Sequence, residues 1–148
     1  MELRPEKLPQ EQIYALDTVA LIYFLERHPH FYRHAKALFQ RIEAGEISAV
    51  FSSLVFAELL VPAFRSDEKQ RVQKIVRILS NFPNLTVIPL TTEISTAAAR
   101  LRAGYGLRTP DAIHAATALE SNAKGFITND KAFLKIATND FAIWLFGG

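Results

Sequence analysis

Short apolar segments alternate with longer amphipathic segments along most of the chain, and this alternation restricts the folds that the chain can adopt. The short segments have the length of buried strands, and in the longer ones apolar residues recur at the period of a helix. The predicted strands cover residues 13–16, 47–51, 85–90, 125–128 and 141–146. This order of elements predicts an α/β domain with a mainly parallel sheet of about five strands.

Helix signals fill the segments between the strands. Helices are predicted over residues 19–26, 31–43, about 53–61, 67–80 and 92–103, followed by a turn over residues 104–106. Asp17 or Thr18 is expected to cap the first helix, and Pro62 is expected to end the third. Val76 is expected on the buried face of the helix over residues 67–80.

The segment from Arg108 to Leu119 predicts a further helix that is buried on nearly all sides, because most of its residues are apolar. Thr109 is expected at its N-cap and Pro110 at its first helical position. Asp111 then falls in the first turn, where the helix dipole favours an anion. A carboxylate at this place either caps the helix or belongs to a functional site.

Composition excludes several classes of protein. The chain of 148 residues is long enough for one domain, which we expect over residues 13–148 after a polar N-terminal tail over residues 1–12. It has no cysteine, so disulfides, thiolate chemistry and zinc sites built on cysteine are excluded. The formal net charge of +2 does not by itself indicate a nucleic-acid partner, but it permits a local basic surface.

Membrane insertion is not expected. The longest apolar run covers residues 48–64, which is short of the ~20 residues that span a bilayer, and it contains Glu58 and Pro62. The N-terminal residues lack the apolar core of a signal peptide, so a cytoplasmic location is expected.

Four carboxylates are predicted to converge at one edge of the sheet. Asp17 ends the first strand, Asp130 follows the fourth, Glu58 lies in the helix after the second, and Asp111 opens the buried helix. Ligands of open parallel sheets bind beyond the carboxyl ends of the strands. We therefore interpret the four acids as one candidate site.

Each acid also has a simpler interpretation. Asp17 and Asp130 could cap helices, and the helix dipole is enough to explain Asp111. Glu58 is harder to explain in this way, because it is the only charged residue over residues 53–61 and has no Lys or Arg within four positions. We expect it to be buried and unpaired, which is rare for Glu outside a functional site.

Converging carboxylates repel one another unless a cation compensates their charge. Oxygen ligands without cysteine or paired histidine favour Mg²⁺ or Mn²⁺ over zinc, and no Asp-x-Asp-x-Asp loop typical of Ca²⁺ is present. Such a dication can activate water and stabilise displacement at phosphorus.

Four motifs in this order resemble those of the PIN-domain nucleases, and most closely the VapC-type toxins of toxin–antitoxin pairs. They are Leu16-Asp17-Thr18, Ser53-x-x-x-x-Glu58, the segment Thr109-Pro110-Asp111-Ala112-x-His114-Ala115, and Ile127-Thr128-Asn129-Asp130. The resemblance implies a three-layer α/β/α sandwich and Mg²⁺- or Mn²⁺-dependent cleavage of single-stranded RNA. It also implies a cognate antitoxin and frequent dimerisation.

Carried over to this chain, the resemblance makes Asp17, Glu58, Asp111 and Asp130 the catalytic, metal-binding acids. Thr18, Thr128 and Asn129 are then expected to support these ligands from positions next to the acids. The chain departs from the family at Val19, where many members have Asn or Ser, and this change could alter the surroundings of the metal.

Further residues have weaker signals. His114 is interpreted as a packed structural histidine, the alternative being a contact with substrate or with a carboxylate. Tyr105 could stack on a base or pack in its turn. Six cationic residues flank the acidic helix and could hold RNA phosphates or simply be solvated: Arg100, Arg102, Arg108, Lys124, Lys131 and Lys135.

Two alternatives to a toxin nuclease stay open. The first is a PIN-fold nuclease that processes RNA or cleaves DNA outside a toxin–antitoxin pair. The second is a binding module that keeps the fold and an inactive acidic cluster. Receiver and haloacid-dehalogenase-like domains are disfavoured, because Asp17 has neither a second acid beside it nor the expected lysine partner.

Overall fold

The computed structural model describes all residues from 1 to 148 and contains a single five-stranded sheet in which every strand pair is parallel. The strands are β1 (Ile13–Leu16), β2 (Ser48–Ser52), β3 (Leu85–Ile88), β4 (Gly125–Thr128) and β5 (Ala142–Leu145). Their order across the sheet is β3-β2-β1-β4-β5. The predicted α/β class and parallel sheet are confirmed.

Seven α-helices connect and cover the strands. They are α1 (Thr18–Leu25), α2 (Tyr32–Glu43), α3 (Leu54–Leu59), α4 (Val61–Arg65), α5 (Lys69–Asn81), α6 (Thr92–Tyr105) and α7 (Thr109–Glu120). Two 3₁₀ helices cover Pro5–Lys7 and Lys131–Ile136. No helix of the protein is both long and apolar enough to cross a bilayer.

The strand side chains divide between two cores on opposite faces of the sheet. On β1, Tyr14 and Leu16 join the core that contains residues of α1, α2 and α5, whereas Ala15 joins the core that contains residues of α6 and α7. Successive side chains of a strand point to opposite faces, so a strand buried on both faces is apolar throughout. The helices therefore form the two outer layers of a three-layer sandwich.

The strand order creates a switch point between β1 and β4. From β1 the chain proceeds outward through β2 to β3, and then returns to the other side of β1 to add β4 and β5. Loops from neighbouring strands diverge at such a point and leave a crevice beyond the carboxyl ends of the strands. Asp17 and Asp130 follow the two strands that flank this crevice.

The N-terminal residues pack against the domain. Leu3 and Leu8 are buried, and the Leu3 amide donates to the carbonyl of Leu145 at 2.8 Å, beside β5. Arg41 Nη1 donates to the carbonyls of Pro5 and Leu8, each at 2.7 Å. The segment is thus tied both to the sheet edge and to α2.

Several local predictions differ from the structure. The N-cap of α7 is Arg108 rather than Thr109, which lies inside the helix. Pro62 does not end a helix but lies in the first turn of α4, where its missing N–H is not required. Val76 is exposed, and α6 continues to Tyr105 before Gly106 ends it in the left-handed conformation.

Candidate active site

Asp17 is held at the end of β1 by two hydrogen bonds to its carboxylate. Its Oδ1 accepts from the amide of Thr18 at 2.9 Å, which caps α1, and its Oδ2 accepts from Thr128 Oγ1 at 2.6 Å. Burial raises the pKa of Asp17, while the bond from Thr128 opposes that rise. The negative charge of Asp111 raises the pKa further, and the imidazole of His114 lowers it. Asp17 is therefore a partly buried acid that shares its surroundings with a second acid.

Asp111 lies in the first turn of α7, as predicted. Arg108 Nε donates to its Oδ2 at 3.2 Å, and the other carboxylate oxygen makes no hydrogen bond. The Arg108 side chain is 79% exposed, so this pair is well solvated and weak. Because the charge of Asp111 acts on Asp17, the two acids belong to the same crevice.

Glu58 was expected to be buried and unpaired, and both expectations are wrong. Its side chain is 37% exposed, because α3 ends one residue later and buries only Val55 and Leu59. Its Oε1 accepts a hydrogen bond from Thr18 Oγ1 at 2.8 Å and lies 2.6 Å from His114 Nε2. Thr18 thus connects two of the acids, because its amide donates to Asp17 and its hydroxyl donates to Glu58 on α3.

From the sequence, His114 is interpreted as a packed structural histidine, with a contact to substrate or to a carboxylate as the alternative. It is buried, as expected, but its Nε2 contacts Glu58, which was the alternative considered. The available signal was its position three residues after Asp111, which puts both side chains on the same face of α7. His114 lies 56 positions after Glu58 in the sequence, so no local sequence pattern predicts the contact between them.

Asp130 follows β4 and acts as a cap in this structure. Its Oδ1 accepts from the amide of Ala132 at 2.9 Å, at the start of the 3₁₀ helix Lys131–Ile136. Its own amide donates to Thr128 Oγ1 at 3.1 Å, so Thr128 connects Asp130 with Asp17. The Asp130 side chain is exposed, and its Oδ2 is free of hydrogen bonds.

Asn129 makes no hydrogen bond to any of the four acids. Its Nδ2 donates to the hydroxyl of Tyr23 on α1 at 2.9 Å, and its Oδ1 accepts from the amide of Gly147 at 2.8 Å. Both ends of the amide are thus used to join the end of β4 to α1 and to the C-terminal residues.

The cationic residues divide between two regions. Arg108 precedes α7, while Arg100 and Arg102 lie in the last two turns of α6, which leads into that helix. Lys131 and Lys135 lie in the 3₁₀ helix that follows Asp130. Lys124 precedes β4 and therefore lies at the amino ends of the strands, opposite the crevice, which favours the solvated interpretation for this residue. Tyr105 is exposed at the end of α6 and does not pack in a turn.

The donor chemistry of this edge fits a hard divalent cation. Glu58, Asp111 and Asp130 each keep one carboxylate oxygen without a hydrogen bond, and no thiol is present to favour a softer metal. The side chains do not yet form a closed cage, since no three His, Asp or Glu side chains lie close enough together to hold a metal.

An open parallel sheet with acids at its switch point places the chain in the class of α/β proteins whose ligands bind at this edge of the sheet. The sequence matches the family model of the PIN domain over residues 14–139, and the chain therefore belongs to the PIN-domain family. The predicted resemblance to the PIN-domain proteins is thereby confirmed. No protein of curated function has a sequence that matches the chain significantly.

Solved structures of similar fold include three bacterial complexes. VapBC2 from Rickettsia felis, bound to a DNA fragment from the promoter of the pair, has 23% identity and a TM-score of 0.65, over 88% of this chain and 96% of that one. A toxin–antitoxin complex from Klebsiella pneumoniae has 26% identity and a TM-score of 0.61, over 86% of this chain and 94% of that one. VapBC-1 from nontypeable Haemophilus influenzae has 24% identity and a TM-score of 0.65, over 92% of this chain and 99% of that one.

Proposed function

We propose that the protein is a divalent-metal-dependent endoribonuclease that cleaves single-stranded RNA and acts as the toxin of a toxin–antitoxin pair. The observation that carries the proposal is the position of Asp17 and Asp130 after the two strands that flank the switch point, with Asp111 close enough for its charge to raise the pKa of Asp17. Converging carboxylates repel one another, and a cation between them relieves this repulsion.

Asp17 and Asp111 would hold Mg²⁺ or Mn²⁺, with Glu58 and Asp130 as the further ligands. When bound, the cation lowers the pKa of water and stabilises the charge that develops on a phosphodiester during an in-line displacement. Thr128 orients Asp17 through its hydrogen bond to Oδ2, and Thr18 orients Glu58. Cleavage of this type leaves a 5′-phosphate and a 3′-hydroxyl, as the family resemblance implies.

RNA would approach along the exposed cationic residues next to the acids. Arg100, Arg102 and Lys131 are exposed and form no ion pair with the protein's own acids. Arginine and lysine in this state bind phosphates by a charge effect that weakens with salt. We therefore expect RNA affinity, and not metal affinity, to depend strongly on ionic strength.

A groove beside α1 is the surface that we propose for the antitoxin, since the similar structures are toxin–antitoxin complexes. The groove has a volume of about 600 Å³ and lies between α1, α2 and α5. Its floor is apolar, with Phe24, Ile75 and Phe82, and its rim carries Arg27 and Lys74. An amphipathic segment with acidic residues at its borders complements this surface. A homodimer is a further expectation, which the mass of the protein in solution would test.

The decisive experiment is cleavage of a mixed cellular RNA pool by the purified protein with Mn²⁺. We expect discrete fragments that disappear with EDTA and with Asp111→Asn. Thr86→Val is a matched control, because this exposed residue of β3 contacts none of the acids. Intact RNA with the wild-type protein, together with no growth defect on expression, would refute the proposal. Cleavage of DNA in preference to RNA would instead support the nuclease outside a toxin–antitoxin pair.

A further inference from the structure

Three helices meet at a single carboxylate oxygen. Oε1 of Glu58, on α3, accepts from Thr18 Oγ1 of α1 at 2.8 Å and lies 2.6 Å from His114 Nε2 of α7. The hydroxyl and the imidazole nitrogen lie 3.3 Å apart. Because an ionised carboxylate only accepts hydrogen bonds, the proton between Glu58 and His114 belongs to Nε2.

All polar contacts of His114 are made through Nε2. The side chain is 2% exposed, and its Nδ1 is buried without a hydrogen-bond partner. An unpaired buried nitrogen has a cost that an apolar side chain of similar size would avoid. The contact with Glu58 is the interaction that offsets this cost, so packing alone does not account for a histidine here.

Glu58 has little other support. Its helix α3 is only six residues long, its side chain is partly exposed, and neither Lys nor Arg pairs with it. A free glutamate side chain at such a position samples many rotamers. Two hydrogen-bonding groups on Oε1 restrict that freedom and leave Oε2 without a hydrogen bond.

We infer that His114 is a positioning residue which, together with Thr18, holds the Glu58 carboxylate in place as a ligand of the divalent cation. The inference rests on the proposed function for the identity of the cation. Groups that orient metal ligands in this way commonly change metal affinity by 10- to 100-fold when they are removed. His114 itself need not touch either the metal or the RNA.

Two substitutions of similar polarity separate positioning from packing. His114→Gln can place its amide nitrogen near the former Nε2 and restore the contact with Glu58, whereas the shorter His114→Asn cannot reach it. We expect His114→Asn to weaken Mn²⁺ binding about tenfold, measured by calorimetry, and His114→Gln to stay within about threefold of the wild type. Equal losses in the two variants, or no loss in His114→Asn, would overturn the inference.

Thr117→Val is the matched control on the same helix. Thr117 is buried, but its hydroxyl donates only to the carbonyl of Ile113 at 2.7 Å. We expect unchanged Mn²⁺ affinity in this variant, and a loss equal to that of His114→Asn would show that any polar change in α7 suffices. Thermal unfolding in EDTA identifies variants that fail to fold. If His114→Asn is one of them, Thr18→Val tests the second bond to Oε1, and an unchanged affinity there overturns the inference.

A double substitution tests whether His114 acts through Glu58. In a Glu58→Gln background we expect His114→Asn to cause no further loss of Mn²⁺ affinity, and an undiminished loss would refute the positioning role. RNA cleavage is measured separately. A protein that binds Mn²⁺ with this pattern but leaves RNA intact refutes the proposed nuclease alone. A protein that cleaves RNA with Mn²⁺ but lacks this pattern refutes the positioning role alone, and a wild-type protein that binds no Mn²⁺ refutes both.

Discussion

Thr128 donates a hydrogen bond of 2.6 Å to Asp17, and this bond joins the ends of two neighbouring strands at the switch point of the sheet. The same hydroxyl oxygen accepts from the amide of Asp130 at 3.1 Å. Thr128 is completely buried, so neither bond is exchanged easily for a bond to water. The orientation of the first acid and the start of the 3₁₀ helix therefore depend on one hydroxyl group.

Thr128→Val removes this hydroxyl with little change of shape. We expect a loss of about 2 kcal/mol in the free energy of unfolding near neutral pH, because a hydrogen bond to a charged group contributes about 1.5–3 kcal/mol. Denaturant unfolding measures the loss. Thr86→Val, at an exposed position of β3, is the control and should change stability by less than about 0.5 kcal/mol. Equal effects of the two substitutions would contradict the role of the Thr128 bond.

Arg108→Ala separates metal binding from RNA binding. The guanidinium lies 3.2 Å from Asp111, so its removal should tighten Mn²⁺ binding about threefold by relieving charge competition in a solvated site. RNA affinity at low salt should fall, since the proposed RNA-binding surface loses one positive charge. Calorimetry and filter binding measure the two effects.

Arg102→Ala is the control for this prediction, because Arg102 has no acidic partner in the protein. We expect it to weaken RNA binding without changing Mn²⁺ affinity. Identical Mn²⁺ affinities in the Arg108 and Arg102 variants would show that the pair with Asp111 has no influence on the metal.

Leu3→Ala tests whether residues 1–12 are a separate tail or part of the domain. The Leu3 side chain is fully buried, so truncation should cost about 2–5 kcal/mol of unfolding free energy. Glu2→Ala removes only an exposed ion pair with Arg4 and should cost less than about 1 kcal/mol. A Leu3→Ala variant as stable as Glu2→Ala would support a tail that contributes nothing to the fold.

The fold was predictable because burial leaves a periodic record in the sequence. Strands such as β4 are apolar on both faces, and Asp17 could be placed at the end of β1 because the apolar run stops there. The position of Asp111 in the first turn of α7 was equally predictable, because Pro110 and the apolar run after it define the start of that helix. These signals come from residues that are close together in the chain, so a single sequence is enough to detect them.

The contacts that join distant segments were not predictable in this way. Thr18, Glu58 and His114 meet across separations of 40 to 96 positions, and Leu3 pairs beside β5 at the other end of the chain. The exposure of Glu58 depends on where α3 ends, and the apolar run over residues 53–61 hides that end. Hydrogen bonds between side chains depend on rotamers and packing, which hydrophobic periodicity does not encode.

The last prediction concerns the pH dependence of stability through Asp17. Burial raises the pKa of Asp17 in the folded protein above the ordinary value of about 4 that it has in the unfolded chain. At pH values between the unfolded and the folded pKa, the folded protein therefore binds more protons than the unfolded chain. Stability from this group therefore falls as pH rises through the interval and is constant above it. In EDTA at pH 7.5, Asp17→Asn should be more stable than the wild type, and the stabilities of the two proteins should approach each other near pH 4.

Saturating Mn²⁺ should reverse this order, because a cation that binds only the folded wild type adds its binding free energy to stability. We expect the melting temperature of the wild type to rise with Mn²⁺ and that of Asp17→Asn to stay nearly constant. Melting curves in EDTA and in Mn²⁺ at several pH values measure both effects. An Asp17→Asn variant that is less stable than the wild type in EDTA at pH 7.5 would show that the bonds from Thr18 and Thr128 outweigh the cost of burying the charge. Equal Mn²⁺ shifts in the two proteins would place the cation away from Asp17.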